Sequence, residues 1–295
     1  MSSDTDQMIV NIDKWVDKAK HDPEAYLERQ ATEIFLTALG TTPPCCDKFF
    51  LKGGLLMGIA YNSPRQTVDI DYSTIIEPNP EVIKDIREAL DKAFPVTAVR
   101  LAYTEIICKI QTIKFFPREE GFDEFKAPAF KITIGYAKKG SPQERRLQEG
   151  KSSKVLHADV SFKEPIGGIQ ILRLGEGGSE IPAYSLNDVI AEKYRSLLQQ
   201  EVRRRYRRQD VYDLDMLINQ FSFDDEELKE ILSTLLEKSH ARNIHPDINS
   251  LQQEEIIARA KSEWETLKLE IGELPDFDAC FDKVNVFYRA LPWQA

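Results

Sequence analysis

The sequence predicts an α+β protein, with an α/β N-terminal half over residues 1–182 and a mostly α-helical C-terminal half over residues 183–295. Three observations carry that expectation. Between Phe49 and Phe162 the chain holds short runs that are apolar, β-branched or alternating, each of strand length. From Ser185 onward, apolar residues recur at the three- and four-residue spacing of helices. Between the two patterns, Gly167-Gly168, Gly177-Gly178 and Pro182 punctuate the change. At 295 residues the chain exceeds one average domain, and no internal repeat subdivides it.

The elements follow in order. After a polar leader, Asp22-Pro23-Glu24 gives a helix its cap and its first-turn proline, and Leu27, Ala31, Ile34, Phe35 and Ala38 form the apolar stripe. Gly40 and Pro43-Pro44 end it. The spacing then predicts a strand over 49–52, a short helix over 55–61, a strand over 67–76 and a helix over 80–94. Strands are expected at 103–116, 130–136 and 155–162, with a turn-rich link at 117–128 and a polar loop at 138–154. Ser185-Leu186-Asn187-Asp188 has capping-box form and opens the helical half.

Composition narrows the function classes. Hydrophobic residues at 42% and charged residues at 30% describe an ordinary globular chain. No apolar stretch approaches the ~20 residues of a membrane-spanning helix. The polar, acidic start, Met1 to Asp6, lacks the order of a signal peptide, so a cytoplasmic protein is expected. Four scattered cysteines and four histidines show no zinc-ligand spacing, and read as small buried groups in a reducing compartment. The net charge of −10 argues against a surface coated for nucleic acid but leaves room for a local patch. Arg203-Arg204-Arg205-Tyr206-Arg207-Arg208 is such a patch: forked guanidinium groups that clamp phosphates, or a solvated helix face paired with acids such as Glu201.

Two constellations carry chemistry. Phe49-Phe50-Leu51-Lys52 runs into Gly53-Gly54, where a backbone without Cβ atoms allows close approach. Some fifteen residues later, Arg65-Gln66-Thr67-Val68-Asp69-Ile70-Asp71-Tyr72 alternates on a strand. Val68, Ile70 and Tyr72 then face the core, and Asp69 and Asp71 lie on the other side, roughly 6–7 Å apart. Paired carboxylates suit divalent cations, which take hard oxygen ligands. Val155–Phe162 puts His157, Asp159 and Ser161 on one strand face. In the helical half, Lys193 falls inside the arc of Leu186, Val189, Ile190, Tyr194 and Leu197. Asp210 falls inside the arc of Tyr206, Leu214, Leu217 and Phe221, and Asp213 borders it. Charges on a core-facing stripe must be paired or bound to something. They make either a structural salt bridge or the floor of a pocket.

The glycine pair, the Arg-x-Thr-x-Asp-Ile-Asp-Tyr run, Ala191-Glu192-Lys193 and Arg207-Arg208-Gln209-Asp210-Val211-Tyr212-Asp213-Leu214 resemble the AbiEii/AbiGii-type nucleotidyltransferase toxins. That family lies within the DNA polymerase β-like nucleotidyltransferase superfamily, and the likeness runs from about Ile34 to Phe221. It implies a polymerase β-like N-terminal domain with a mixed sheet, and a helical domain that contributes to the active-site cleft. It also implies Mg²⁺ or Mn²⁺, a nucleoside triphosphate substrate, an RNA acceptor (tRNA foremost) and a cognate antitoxin. Residue by residue, Asp69, Asp71 and Asp159 would hold metal, and Gly53, Gly54, Arg65, Thr67 and Lys193 would meet the nucleotide. Lys193 and Asp210 would act in catalysis beside the three carboxylates, while Arg204, Arg207 and Arg208 would contact acceptor phosphates. Two positions depart from the family pattern: Leu55 follows the glycine pair where Thr or Ser is usual, and Thr67 stands for Ser. The same fold could instead modify a small molecule or a protein hydroxyl, or bind nucleotide without turnover.

Overall fold

The computed structural model describes residues 7–65, 67, 69–118 and 120–293. The chain forms two compact units. One comprises residues 1–60, 67–164 and 170–183; the other comprises 61–66, 165–169 and 184–295.

In the first unit the elements run β1 (Gln7–Val10), α1 (Ile12–Asp17), α2 (Pro23–Thr41), α3 (Cys45–Lys48), β2 (Phe49–Lys52), α4 (Gly53–Ala60) and β3 (Asp69–Thr74). They continue through α5 (Pro80–Arg100), β4 (Ile106–Phe116), β5 (Ala129–Lys138), α6 (Pro142–Gln148), β6 (Val155–Phe162), β7 (Ile169–Leu174) and β8 (Glu180–Tyr184). The strands make one mixed eight-stranded sheet in the order β1-β7-β8-β2-β3-β6-β5-β4. β3 runs antiparallel to β2 and parallel to β6, and β5 is antiparallel to both β6 and β4.

Period-2 alternation splits this sheet into two chemically different faces. Ile70 and Tyr72 of β3, Ala158 and Val160 of β6 and Phe130 and Ile132 of β5 are all buried. Their rings interlock: Phe49 lies 6.1 Å from Tyr72 and 6.4 Å from Phe130, centroid to centroid, and Phe130 lies 5.6 Å from Phe162. Long helices complete the core, with Phe35 of α2 packed 6.5 Å from Phe94 of α5. Each large buried side chain contributes about 1.5–3 kcal/mol. The opposite face carries Lys52, Asp69, Asp71, Ser73, Lys131, His157 and Asp159.

Several expectations are refined. Asp22 caps α2 as expected, its carboxylate accepting from the Glu24 and Ala25 backbone. The fifth helix continues past Pro95 to Arg100, because Thr97 and Ala98 extend the buried stripe of Ile83, Ile86, Leu90 and Phe94. The polar loop over 138–154 contains a helix, α6, which starts on Ser141-Pro142 and is pinned by buried Leu147. The polar leader contains β1, which pairs in parallel with β7, a partner far away in sequence. Val68 lies outside the described residues.

The second unit is helical: α7 (Leu186–Leu198), α8 (Arg208–Gln220), α9 (Asp225–His240), α10 (Glu254–Lys261), α11 (Lys268–Ile271) and α12 (Phe277–Ala290). Ser185 caps α7 through the Asp188 backbone, and Asp224 with Glu227 forms a complete capping box on α9. Residues 199–207 are not helical, so Arg203, Arg204 and Arg205 sit on an exposed turn rather than a helix face, while half-buried Arg208 opens α8. Among the described residues no helix is long and apolar enough to cross a membrane. All four cysteines are free thiols, three of them buried.

Candidate active site

The first unit presents a row of charges across four adjacent strands. Lys52 of β2 pairs with Asp71 of β3, Asp71 with Asp159 of β6, and Asp159 with Lys131 of β5. Registry alone sets this row, because directly opposed residues on one sheet face are neighbours. Asp69, two residues before Asp71 and exposed, lies on the same face.

The outer ends of the row are neutralised, but the middle is not. Lys131 Nζ sits 3.3 Å from an Asp159 oxygen. The Lys52 ammonium is ion-paired to Glu164, which also accepts a 2.9 Å hydrogen bond from Ser73 Oγ. Lys52 is thus held beside the row by a carboxylate and not left as an exposed strand-end lysine. Asp71 makes no ion pair among the described residues. Burial pushes its carboxyl up to about 6; Lys52 opposes the shift, and Asp159, Asp69 and Glu164 add to it.

Gly53 explains why the glycine pair precedes this strand. Its φ of +72° lies in the left-handed region, where a side chain is strained. A Cβ built there would also collide with the Asp71 carboxylate. The close approach at Gly53 is therefore to Asp71, while Gly53 and Gly54 begin α4 and leave their backbone N–H groups at its N-terminus. Thr67 makes one long contact, 3.5 Å from its Oγ1 to the Asp69 carbonyl.

The donor chemistry of Asp69, Asp71 and Asp159 fits a hard divalent cation: all oxygen, on one sheet face, with Lys52 only partly offsetting the burial of the Asp71 carboxylate. Among the described residues no group of three or more His, Cys, Asp or Glu side chains is placed to hold a metal ion.

The second unit holds a separate ion network. Lys193 of α7 is buried, and its Nζ lies 2.6 Å from Asp213 Oδ2 and 3.3 Å from Asp210 Oδ1, both on α8. Arg65 forks onto Asp213, with Nε 3.2 Å from Oδ1 and Nη2 3.1 Å from Oδ2. Arg65 Nη1 is also 3.6 Å from Glu270, and Arg207 is 3.8 Å from Asp210. Burial pushes the Asp213 carboxyl up, but Lys193 and Arg65 outweigh it and hold the group below the usual carboxylate range.

The two aspartates are not equivalent. Asp213 is fully buried, whereas Asp210 in the first helical turn remains slightly exposed. Helical angles place Asp210 inside the apolar arc and Asp213 at its border, but they ignore position along the axis. Tyr206, counted in that arc, precedes the helix and is 47% exposed. Asp210 Oδ2 is buried and has no hydrogen-bond partner among the described residues, its ion-pair contact being Arg207 at 3.8 Å.

Arg203, Arg204 and Arg205 are exposed and make no side-chain ion pair among the described residues. Arg207 and Arg208 reach Asp210 and Glu263. Partial burial lowers the Arg203 pKa, and Arg242, Arg195, Arg205 and Arg207 lower it further, which marks a local excess of positive charge.

Sequence reasoning missed Glu164 as the Lys52 partner, and offered a Lys193 salt bridge to one of the aspartates without singling out Asp213. Glu164 follows a strand end without a motif. Asp213 was legible only as the border of an arc.

A family model described as "Nucleotidyl transferase AbiEii toxin, Type IV TA system" matches residues 34–283. No curated protein is significantly similar in sequence. Among solved structures, the chain resembles MenT4, a nucleotidyltransferase toxin from Mycobacterium tuberculosis H37Rv, at 16% identity and a TM-score of 0.55. That match covers 95% of this chain and 90% of the other. JHP933 from Helicobacter pylori matches at 14% identity and a TM-score of 0.50, covering 92% of each chain. At such identities the two structures establish a shared fold.

Proposed function

The chain belongs to the AbiEii nucleotidyltransferase toxin family, and on that premise we propose that it transfers nucleotides from a nucleoside triphosphate to an RNA acceptor, tRNA foremost, in a metal-dependent reaction. Its growth-arresting activity would be neutralised by a cognate antitoxin. The observation that carries the reading is the carboxylate row: Asp71 sits beside Asp159 in parallel register, with Asp69 on the same face and with its own charge only partly offset by Lys52.

In this reading Asp69, Asp71 and Asp159 hold Mg²⁺ or Mn²⁺. The metal, when bound, neutralises triphosphate charge and lowers the barrier to attack at the α-phosphorus. The chain's own groups do the positioning. The backbone N–H groups of Gly53 and Gly54 open α4 and receive phosphate oxygens, as helix N-termini do. Thr67 supplies a hydroxyl in the same stretch. Lys193 supplies positive charge to the triphosphate. Asp210, slightly exposed in the first turn of α8, orients the attacking hydroxyl and accepts its proton. Arg65 is left out of the phosphate contacts because its guanidinium is committed to Asp213. Arg204, on the exposed turn, and Arg207 and Arg208 beside it contact acceptor phosphates, assisted by Arg203 and Arg205.

The test is to incubate purified protein and Mg²⁺ with total RNA and each labelled triphosphate separately. One triphosphate should label an RNA band, and Asp69→Ala or Asp71→Ala should abolish the label. Label appearing only in a small molecule or a protein would replace the RNA acceptor. No nucleotide binding with any metal would leave a binding fold without turnover.

A further inference from the structure

We infer that Asp213 is a positioning residue which, clamped by Arg65, holds the Lys193 ammonium in place without itself touching substrate. This rests on the reading of Lys193 as a triphosphate-binding group, and deepens it.

Hydrogen-bond saturation is the first ground. Asp213 Oδ1 accepts from Arg65 Nε, and Oδ2 accepts from both Arg65 Nη2 and Lys193 Nζ. The residue is fully buried, so no substrate atom can reach it. Asp210, three residues earlier on the same helix, is slightly exposed, with a longer 3.3 Å contact to Lys193 on one oxygen and Arg207 at 3.8 Å from the other. One carboxylate is therefore sealed and tightly held, and the other is held more loosely.

Mechanics supply the second ground. A lysine ammonium is a point charge on a flexible four-carbon stem, so something must fix it if it is to meet one phosphate reproducibly. The shorter of its two contacts, 2.6 Å, is to Asp213. Drawing the ammonium away from Asp210 would leave that anchor intact. The planar Arg65 fork in turn fixes the plane of the Asp213 carboxylate, which a single cation could not. Arg65 is itself anchored: Tyr61, on the same short segment, is buried and packs edge-on against Phe221 at 5.9 Å. The segment is thus fastened at both of its ends to α8 or the residue that caps it.

A third ground is electrostatic. Two cations on one buried carboxylate hold it ionised, so Asp213 is a permanent anion and cannot serve as a proton acceptor near neutral pH. Its role is then geometric. Both the lysine and the arginine lose their fixed partner if it goes.

The full-length protein is compared with Asp213→Asn, Arg65→Gln, the double variant and Arg65→Lys, at a temperature well below every melting point. Two readouts are taken: equilibrium affinity for the magnesium–triphosphate, and the rate at which acetic anhydride modifies Lys193, followed by mass spectrometry. Asp213→Asn should weaken triphosphate binding about tenfold or more, the scale of a lost hydrogen bond to a charged group. It should also raise Lys193 modification several-fold. The double variant should resemble Asp213→Asn alone, because both changes remove one clamp. Arg65→Lys, which keeps the charge but not the fork, should fall between.

Wild-type affinity and labelling in folded Asp213→Asn or Arg65→Lys would overturn the inference. So would variants that melt earlier yet leave both readouts unchanged, since that is a purely structural salt bridge. If none of the variants folds, the clamp is a stability element and the inference also fails. If the wild type binds no triphosphate, the proposed function falls, and Lys193 labelling alone still decides the clamp.

Discussion

Replacing Asp71 by Asn should make the metal-free protein more stable while destroying transfer. The carboxyl is pushed from 3.8 to about 6 by burial and by neighbouring acids. At about 1.4 kcal/mol per pKa unit, the ionised form costs the fold up to about 3 kcal/mol. Asparagine has nearly the same shape and no charge, so the gain should be about 1–3 kcal/mol, or several degrees in melting temperature. The pH dependence has a definite sign. Below 3.8 the side chain is protonated in both folded and unfolded states, and Asp71 carries no charge penalty. Between 3.8 and about 6 the unfolded chain ionises while the folded one keeps its proton, so wild-type stability falls as pH rises. Above about 6 the deficit is constant. Thermal unfolding in EDTA at pH 4 and pH 7.5 should therefore give converging melting points at the lower pH and a higher melting point for the variant at the upper one. Magnesium with triphosphate should then raise the wild-type melting point and leave the variant's unchanged. A variant no more stable than wild type at pH 7.5 would refute the claim that the Asp71 charge is only partly offset. Retained transfer would remove it from the metal site.

Three other outcomes are expected. Gly53→Ala should lower stability by about 1–2 kcal/mol through backbone strain alone, and should abolish transfer because the new Cβ displaces the Asp71 carboxylate; a melting curve and a labelling assay separate the two effects. Asp210→Asn should reduce the transfer rate about 10²–10⁴-fold, the range for a lost general base, with triphosphate affinity little changed; a loss confined to affinity would refute the proton-acceptor role. Arg204→Glu should weaken RNA binding and flatten its salt dependence by about one counterion, with unchanged triphosphate affinity; equal loss of both affinities would contradict an acceptor-side position.

Local pattern was enough to place Asp69 and Asp71 on one strand face, to start α2 at Asp22-Pro23 and α7 at Ser185, and to bury Lys193 on a helix stripe. Each depends on periodicity or capping within a dozen residues, which sequence displays directly. Tertiary structure decided the rest, because it depends on partners distant in the chain. β1 exists through its pairing with β7, and Asp159 meets Asp71 only through parallel register between strands far apart in the chain. Lys52 is turned to Glu164, and Arg65 to Asp213. Burial, not motif, separated Asp213 from Asp210: their helical angles are similar, but only the packing of other helices determines which carboxylate is sealed from water and which stays slightly exposed.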